Sequence, residues 1–497
     1  MDRTRSNLLA KIFFITFITF IIVISLVQIN TIITGKEEHE RNNVINDLNN
    51  IELVANLDAF QIKEQENWDK AFINAINSGA KRLILSEGKT YNISTTIDIP
   101  SEIEIEGNNA RILYDSSSDI FSISDKSNIV IKNIWFNSPT GGIISIWQSN
   151  NVNIENCDFT GSSSNHIRIM GTSSYIRILD NRFEGASDTQ LIMYDKLSNI
   201  EISNNKFFKG LGNSITKATN SEAKISESFI INKNIFYDSG RMSIELNNID
   251  NIEITDNKFY KSTDMAISLP GCKNLLIKDN LISNCVTHAI EIGGSLAQIT
   301  KNVTISDNIF SNITLANNPI ILNTTTTNIE DVIIENNEFN NCISSINGEN
   351  YNINMFGDKK HINIKILNNN FNNSNGILVK GENHLIENNK FIFNSESNNL
   401  SIYIAGENNS FKNNKIIYSD NSSIGSEAIR IGESSNLNII GNDIIGNGKR
   451  NYGITNDNAV STNNNVEKNK IEGINISGFK FDSNISFKYF KDNEVDK

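Results

Sequence analysis

The chain has 497 residues, enough for one large domain or two to three ordinary ones, and its 38% hydrophobic content allows a packed core. Its 84 asparagines, about one residue in six, favour turns over helices, so a mostly helical protein is not expected. The net charge of −13 predicts that nucleic acid is not a partner, because no basic surface is available to replace phosphate counterions.

The N-terminus has the pattern of a membrane anchor. Residues 1–11 carry Arg3, Arg5 and Lys11, whereas residues 12–33 carry no charge and are long enough to cross a ~30 Å hydrocarbon core as a helix. The positive flank predicts a cytoplasmic tail (1–11), a transmembrane helix (12–33) and an extracytoplasmic bulk at the cell surface. No small-residue cleavage site follows, which favours an uncleaved anchor over a signal peptide.

Two short helical patterns follow the apolar stretch. Residues 34–66 are charged, with apolar residues near helical spacing, and predict a helical stalk or linker. Residues 68–78 repeat the pattern on a smaller scale and end at Ser78-Gly79, which predicts a short helix.

A repeat of about 26 residues fills the rest of the chain. Each copy reads apolar, two polar, Asn, any residue, Phe, as in Ile254-Thr-Asp-Asn257-Lys-Phe259 and Ile305-Ser-Asp-Asn308-Ile-Phe310. About fourteen copies occur, and codon bias towards Asn does not explain why one position is Asn in twelve of them. A fixed period in this range predicts a solenoid.

Alternation within each copy predicts short strands rather than helices. Because the same side-chain register recurs in every copy, consecutive strands are expected to stack as parallel coils ~4.8 Å apart rather than to form hairpins. The Asn column is expected at one tight bend with left-handed backbone geometry, where its amides bond along the stack. The Phe column is expected to stack inside.

The stretch from residue 68 to 107 resembles the opening of a known superfamily. Its Trp68 to Gly79 segment, Arg82-Leu-Ile-Leu85, Gly88-Lys-Thr-Tyr91 and Ile103-Glu-Ile-Glu-Gly107 look like the start of right-handed parallel β-helix proteins of the pectin-lyase-like superfamily. The resemblance implies an all-β right-handed parallel β-helix over residues 67–480, a capping helix at 68–78 and a C-terminal cap or tail at 481–497. The superfamily includes polysaccharide lyases, hydrolases and epimerases, phage tailspikes and non-catalytic surface proteins.

The strand that precedes each Asn phrase is predicted to carry the functional side chains. Alternation points its apolar residues inward and turns chemically active residues outward. We predict His166, Arg168, Tyr194, Glu245 and Glu291 as catalytic residues. Trp147, Gln190 and Asp195 are predicted to bind substrate.

Two chemistries fit this set. Glu245 and Glu291 are two coils apart, about 10 Å, near the upper edge of the ~6.5–9.5 Å carboxylate separation of inverting glycosidases. In a lyase or epimerase, Arg168 would neutralise a uronate while His166 or Tyr194 moves a proton. The alternative is that these outward residues are simply solvated.

The family's known catalytic signatures are absent, so no catalytic set is carried over. The leading hypothesis is a membrane-anchored enzyme (lyase, epimerase or hydrolase) acting on an envelope or extracellular polysaccharide. The alternative is a non-catalytic carbohydrate-binding or adhesive surface protein, and a phage tailspike is disfavoured by the membrane segment. The sequence predicts no metal site, requires no cofactor, leaves calcium possible and leaves the oligomeric state open.

Overall fold

The computed structural model describes residues 53–62, 67–162, 164–218, 225–294, 296, 298–314, 318–343, 351–394 and 401–496. Within them the chain winds into a solenoid of parallel strands arranged in three sheets, and each coil between the two ends contributes one strand to each sheet in turn. Three long strands, Ile103–Tyr114, Ser127–Asn137 and Gly425–Ser435, each pass through two sheets.

The first sheet has eighteen strands. They are Val54–Asn56, Arg82–Ile84, the starts of Ile103–Tyr114 and Ser127–Asn137, Asn150–Glu155, Ser174–Leu179, Ser198–Ser203, Ser226–Asn232, Ile249–Thr255, Lys273–Lys278, Thr300–Ser306, Ile329–Glu335, His361–Leu367, Leu385–Glu387, Ser410–Lys412, Asn438–Ile440, Ser461–Glu467 and Ile485–Lys491.

The second sheet has seventeen strands. They are Thr90–Ile93, the ends of Ile103–Tyr114 and Ser127–Asn137, Asp158–Thr160, Arg182–Glu184, Lys206–Phe208, Ile235–Ser239, Lys258–Ser262, Leu281–Ser283, Ile309–Ser311, Glu338–Asn340, Asn370–Asn372, Lys390–Phe393, Lys415–Tyr418, Asp443–Ile445, Lys470–Glu472 and Glu494–Asp496.

The third sheet has sixteen strands. They are Ile97–Asp98, Asp119–Ser124, Gly142–Trp147, Ile167–Met170, Leu191–Met193, Ile215–Lys217, Ile244–Leu246, Ile267–Leu269, His288–Gly293, Asn318–Asn323, Ile353–Phe356, Ile377–Val379, Ile402–Glu407, Gly425–Ser435, Arg450–Asn456 and Ser477–Lys480.

The solenoid is longer than the sequence predicted. It has about seventeen coils rather than fourteen, because coils form at both ends where the Asn phrase is weak or missing. Val54–Asn56 pairs with Arg82–Ile84 although it lies in the predicted stalk, and residues 481–497 contribute two strands rather than only a tail. Among the described residues no helix is long and apolar enough to span a membrane; the predicted anchor at 12–33 lies outside them.

A short helix closes the N-terminal end of the solenoid as predicted. It runs from Asp69 to Asn77 and buries Ala71, Phe72 and Ala75, and a 3-10 helix at Leu57–Phe60 precedes it. The Phe72 ring contacts Phe121 edge-on, so the helix sits directly on the first aromatic residues of the core.

The predicted asparagine ladder is confirmed. From Asn205 onward, each ladder Asn accepts a backbone N–H bond and a side-chain amide bond from the coil before it; Asn257 donates both to Asn280 Oδ1, at 2.9 and 3.1 Å. The predicted backbone geometry was wrong by one residue. The left-handed conformation belongs to the preceding residue, Asp256 (φ 56°) or Asp279 (φ 56°), because the bend must turn the next amide inward.

The aromatic column stacks inside the solenoid. Rings from Phe159 to Phe259 lie 4.7–4.9 Å apart and nearly parallel, one from each coil. Ile282 interrupts the column, and stacking resumes from Phe310 to Phe391 at 4.5–4.7 Å. The core is therefore one continuous file of buried apolar side chains, and it fixes which side chains of each strand point outward.

Candidate functional site

The outward side chains of the third sheet form a single row, which we call the outer row. Strand register places one member on each coil. The members are Ser122, Ser145, Arg168, Ile192, Thr216, Glu245, Ser268, Glu291, Ile321, Asn354, Leu378, Tyr403, Arg430, Thr455 and Lys480.

Glu245 and Glu291 both lie on this row, two coils apart with Ser268 between them. Both side chains are half-buried. At one coil spacing per step, their backbones are about 10 Å apart. We call Glu245, Ser268 and Glu291 the acidic site.

Neighbouring coils hold both carboxylates in place. Glu291 accepts hydrogen bonds from Ser268 Oγ and Asn323 Nδ2, each at 3.0 Å. Glu245 accepts one from Asn213 Nδ2 at 2.8 Å. Each carboxylate has room for about four hydrogen bonds, so acceptor capacity remains on the outward side for a ligand that brings donors.

Sequence analysis missed the residues that position the carboxylates. Asn213 and Asn323 each lie 32 residues from the glutamate they contact. No local pattern links residues at that separation. The contacts arise because one coil of the solenoid brings them to the same edge of the sheet.

His288 stands beside the acidic site. It is half-buried at the start of the strand that carries Glu291, and its Nδ1 lies 3.1 Å from the Asn318 carbonyl oxygen. Burial lowers its pKa, while the nearby carboxylates of Glu291 and Asp264 oppose that effect. His288 lies three residues before Glu291 on the same strand.

His166 and Gln190 do not face outward as predicted. His166 is fully buried between the rings of Phe159 and Phe183, and its Nε2 lies 2.9 Å from the Gly161 carbonyl oxygen. Gln190 is also fully buried and donates from Nε2 to the Phe208 carbonyl at 3.0 Å. Both precede their strands, and the alternation used to orient them does not extend through the corner between the second and third sheets.

Arg168 and Tyr194 do lie near each other, as predicted. Arg168 forms an ion pair with Asp119, which already compensates its charge. Burial raises the pKa of Tyr194, the charge of Asp188 raises it further, and Arg168 opposes both. A tyrosine that is harder to ionise is a poor general base.

The two remaining predicted binding residues occupy the same edge of the third sheet. Trp147 is 41% exposed at the end of its strand. Asp195 has a left-handed backbone (φ 62°) and accepts the Gly171 N–H at 3.0 Å through Oδ2. Trp147 lies four coils before Glu245 and Asp195 lies two, so the predicted residues are spread along the sheet in two groups, one before the coil of Thr216 and one after it.

An open groove of about 440 Å³ lies at the N-terminal end of the solenoid. Its lining includes Asn92, Ser94, Leu113, Asp115 and Asn137. Within the described ranges no cluster of three or more His, Cys, Asp or Glu side chains could hold a metal ion.

Comparison with known proteins agrees with this architecture. Residues 91–230 and 222–358, together more than half of the chain, match the family described as "Right handed beta helix region". The chain therefore belongs to the right-handed β-helix family. No curated protein sequence matches it.

Several solved structures share the fold at low sequence identity. The surface adhesin PfbA of Streptococcus pneumoniae is 15% identical, with 82% of this chain and 92% of that chain covered and a TM-score of 0.48. The pre-mature gene product 12 of bacteriophage phi29 is 13% identical, with 92% and 75% covered and a TM-score of 0.50. The A-module of the mannuronan C-5 epimerase AlgE6 from Azotobacter vinelandii is 11% identical, with 88% and 98% covered and a TM-score of 0.36. Of these three likenesses, the one to gene product 12 bears on the fold, and it shows the fold alone.

Proposed function

We propose that this protein is a surface polysaccharide-binding β-helix whose acidic site holds a neutral, hydroxyl-rich glycan along the outer row. The observation that carries the proposal is the pair Glu245 and Glu291, two coils apart and each positioned by hydrogen bonds from adjacent coils. Carboxylates only accept hydrogen bonds, so their partner must donate, as sugar hydroxyls do.

Charge favours a neutral glycan over a polyuronate. The acidic site carries two carboxylates, the charge of Asp264 acts on the adjacent His288, and the chain as a whole has a net charge of −13. A polymer with a carboxylate on every unit would be repelled here. The lyase and epimerase chemistry predicted from the sequence loses support as well, since Arg168 is paired with Asp119 and His166 is buried.

Binding is tested with cellohexaose, chitohexaose, laminarihexaose and mannohexaose, measured by biolayer interferometry on the full-length protein. Glu291→Gln is expected to weaken binding of the preferred hexasaccharide roughly tenfold or more, because charge-assisted hydrogen bonds are worth about 1.5–3 kcal/mol. Glu245→Gln is expected to act in the same direction.

The matched control is Glu338→Gln, which removes an exposed carboxylate from the second sheet and is expected to leave affinity unchanged. Absence of binding to all four sugars would contradict the proposal. Equal affinity of Glu291→Gln, Glu338→Gln and the unaltered protein would contradict the placement of the site.

Hydrolysis is the second candidate function. The separation of about 10 Å between Glu245 and Glu291 is close to the ~6.5–9.5 Å found in inverting glycosidases, where one carboxyl group protonates the leaving oxygen and the other activates water. Release of reducing ends from the same hexasaccharides, abolished by either Glu→Gln substitution, would establish it. Binding without release leaves the adhesive function.

We further propose that residues 12–33 anchor the protein in a membrane with residues 34–497 outside the cytoplasm. The uncharged stretch and the basic residues before it support this topology. The full-length protein is expected to stay with membranes after a carbonate wash, and protease added to intact cells is expected to digest it. Recovery in the soluble fraction, or protection from external protease, would contradict the topology.

A further inference from the structure

The outer row continues beyond the acidic site to a second group of side chains, of which Leu378 is apolar and buried and Tyr403 and Arg430 are polar. Leu378, Tyr403, Arg430 and Thr455 occupy successive coils of the third sheet. Tyr403 is four coils beyond Glu291, about 19 Å along the axis. One extended polymer lying on the outer row would therefore meet both groups.

Arg430 is held by a buried carboxylate. Its Nε donates to Glu427 Oε1 at 2.7 Å, and its Nη2 contacts the same oxygen. The Glu427 side chain is only 5% exposed, whereas that of Arg430 is 47% exposed. Among the described residues Nη1 of Arg430 has no hydrogen-bond partner. The buried Glu427 therefore holds the guanidinium through Nε and Nη2, while Nη1 presents free donors to solvent.

A hydrogen bond to a different carboxylate holds Tyr403 in place. Its hydroxyl donates to Asp457 Oδ2 at 3.2 Å, two coils further on. Gly432 makes this orientation possible, because any side chain there would overlap the Tyr403 hydroxyl. Burial and the Asp457 charge raise the pKa of Tyr403 to about 12, which keeps the hydroxyl neutral.

Lysines complete the group, and its charge differs from that of the acidic site. Lys380 Nζ lies 5.9 Å from the centre of the Tyr403 ring, and Lys480 follows Thr455 on the outer row. Both lysines are exposed, and neither forms an ion pair within the described part of the chain. Lys380, Arg430 and Lys480 thus bring three positive charges to this part of the third sheet, where Glu427 already bonds to Arg430 and Asp457 to Tyr403.

We propose that Lys380, Tyr403 and Arg430, the cationic subsite, bind an anionic substituent of the glycan, a carboxylate or a phosphate. Arginine offers planar paired donors for either group, and the tyrosine ring offers a flat surface for the sugar that carries it. This inference rests on the proposed function: the neutral part of the polymer lies on the acidic site, and an acidic unit is recognised four coils away.

The experiment compares three forms of each hexasaccharide on the full-length protein: the neutral form, a form with one C6 hydroxyl oxidised to a carboxylate, and a form with one C6 phosphate. Either charged form is expected to bind about tenfold more tightly than the neutral form. The better of the two identifies the substituent. The preference is expected to weaken as salt is raised, because exposed charges are screened.

Two variants localise the effect. Arg430→Gln is expected to abolish the preference for the charged form, but it also leaves Glu427 buried without its partner. Lys380→Gln removes an exposed charge without that consequence and is expected to reduce the preference severalfold. Lys390→Gln, an exposed lysine on the second sheet, is the matched control and is expected to change nothing.

Equal affinity for charged and neutral forms would overturn the cationic subsite while leaving the acidic site intact. A charge preference that survives both Arg430→Gln and Lys380→Gln would also overturn it. Failure of every form to bind would overturn the proposed function together with the inference. Loss of neutral binding in Glu291→Gln, with the charge preference unchanged, supports two separate groups on one row.

Discussion

Replacing Asn280 with alanine is expected to lower the free energy of unfolding by roughly 3–5 kcal/mol, since each buried polar group left unpaired costs about 1–3 kcal/mol. Asn280 donates to the Ile254 carbonyl at 2.8 Å and to Asn308 Oδ1 at 3.0 Å, and it accepts two bonds from Asn257. Alanine removes the donor to the Ile254 carbonyl and the acceptor for both Asn257 bonds inside the solenoid, whereas Asn308 Oδ1 still accepts the backbone N–H of residue 280. The measurement is the urea midpoint, followed by tyrosine fluorescence.

The matched control is Asn372→Ala. Asn372 lies on the outer face of the second sheet and is exposed, and its substitution is expected to change stability by no more than about 0.5 kcal/mol. Because each coil contacts only its neighbours, amide hydrogen exchange in Asn280→Ala should accelerate most in the coils next to it. Equal urea midpoints for the two variants would show that the ladder adds nothing to stability.

Acidification is expected to destabilise the protein between pH 6.5 and about 4, through three buried histidines. Burial lowers the pKa values of His166, His361 and His384 from 6.5 to about 4. In this window the unfolded chain binds protons that the folded chain does not. The contribution of these histidines to the free energy of unfolding is therefore complete above pH 6.5. It is lost as the pH falls towards about 4, and the loss is up to about 3 kcal/mol for each histidine.

The hydrogen bonds of His384 show why its ring stays neutral. Its Nδ1 accepts the Ile364 N–H at 3.1 Å, and its Nε2 lies 3.1 Å from the Lys380 carbonyl oxygen. Protonation of Nδ1 would place its N–H opposite the Ile364 N–H, so that two donors face each other without an acceptor. Burial likewise lowers the pKa of His288, so acidification is expected to destabilise the folded protein through this histidine as well. The pKa values of the Asp58 and Glu106 carboxyl groups are lowered, so the stabilisation that these groups provide is lost only at lower pH.

The measurement is the urea midpoint as a function of pH. His384→Asn removes one titrating group, and its stability is expected to fall less steeply between pH 6.5 and about 4, whatever its stability at neutral pH. Identical slopes for His384→Asn and the unaltered protein would contradict the assignment. Stability that rises on acidification in this window would contradict the sign of the effect.

The proposed acidic site and the proposed cationic subsite differ in the ligand chemistry that they would accept. The acidic site presents acceptors, and the cationic subsite presents donors and positive charge. A polymer that satisfies both is mostly neutral with acidic units at intervals. Neither a uniform polyuronate nor a wholly neutral chain makes full use of the row.

The sequence alone determined the parallel β-helix, the asparagine ladder, the inward phenylalanines and the outward placement of Glu245 and Glu291. These follow from a repeat in which one register recurs on every coil, so each local pattern is reinforced by the identical pattern above and below it. The outward direction of a side chain within a strand is a local property, fixed by alternation.

Only the tertiary structure decided the burial of His166 and Gln190, the pairing of Arg168 with Asp119 and the support of the glutamates by Asn213 and Asn323. The two buried residues lie at corners, where the chain changes direction and alternation no longer applies. The pairings join residues from different coils, and their geometry depends on how far each intervening corner bulges. No periodic pattern carries that information, because the corners are where the repeats differ in length.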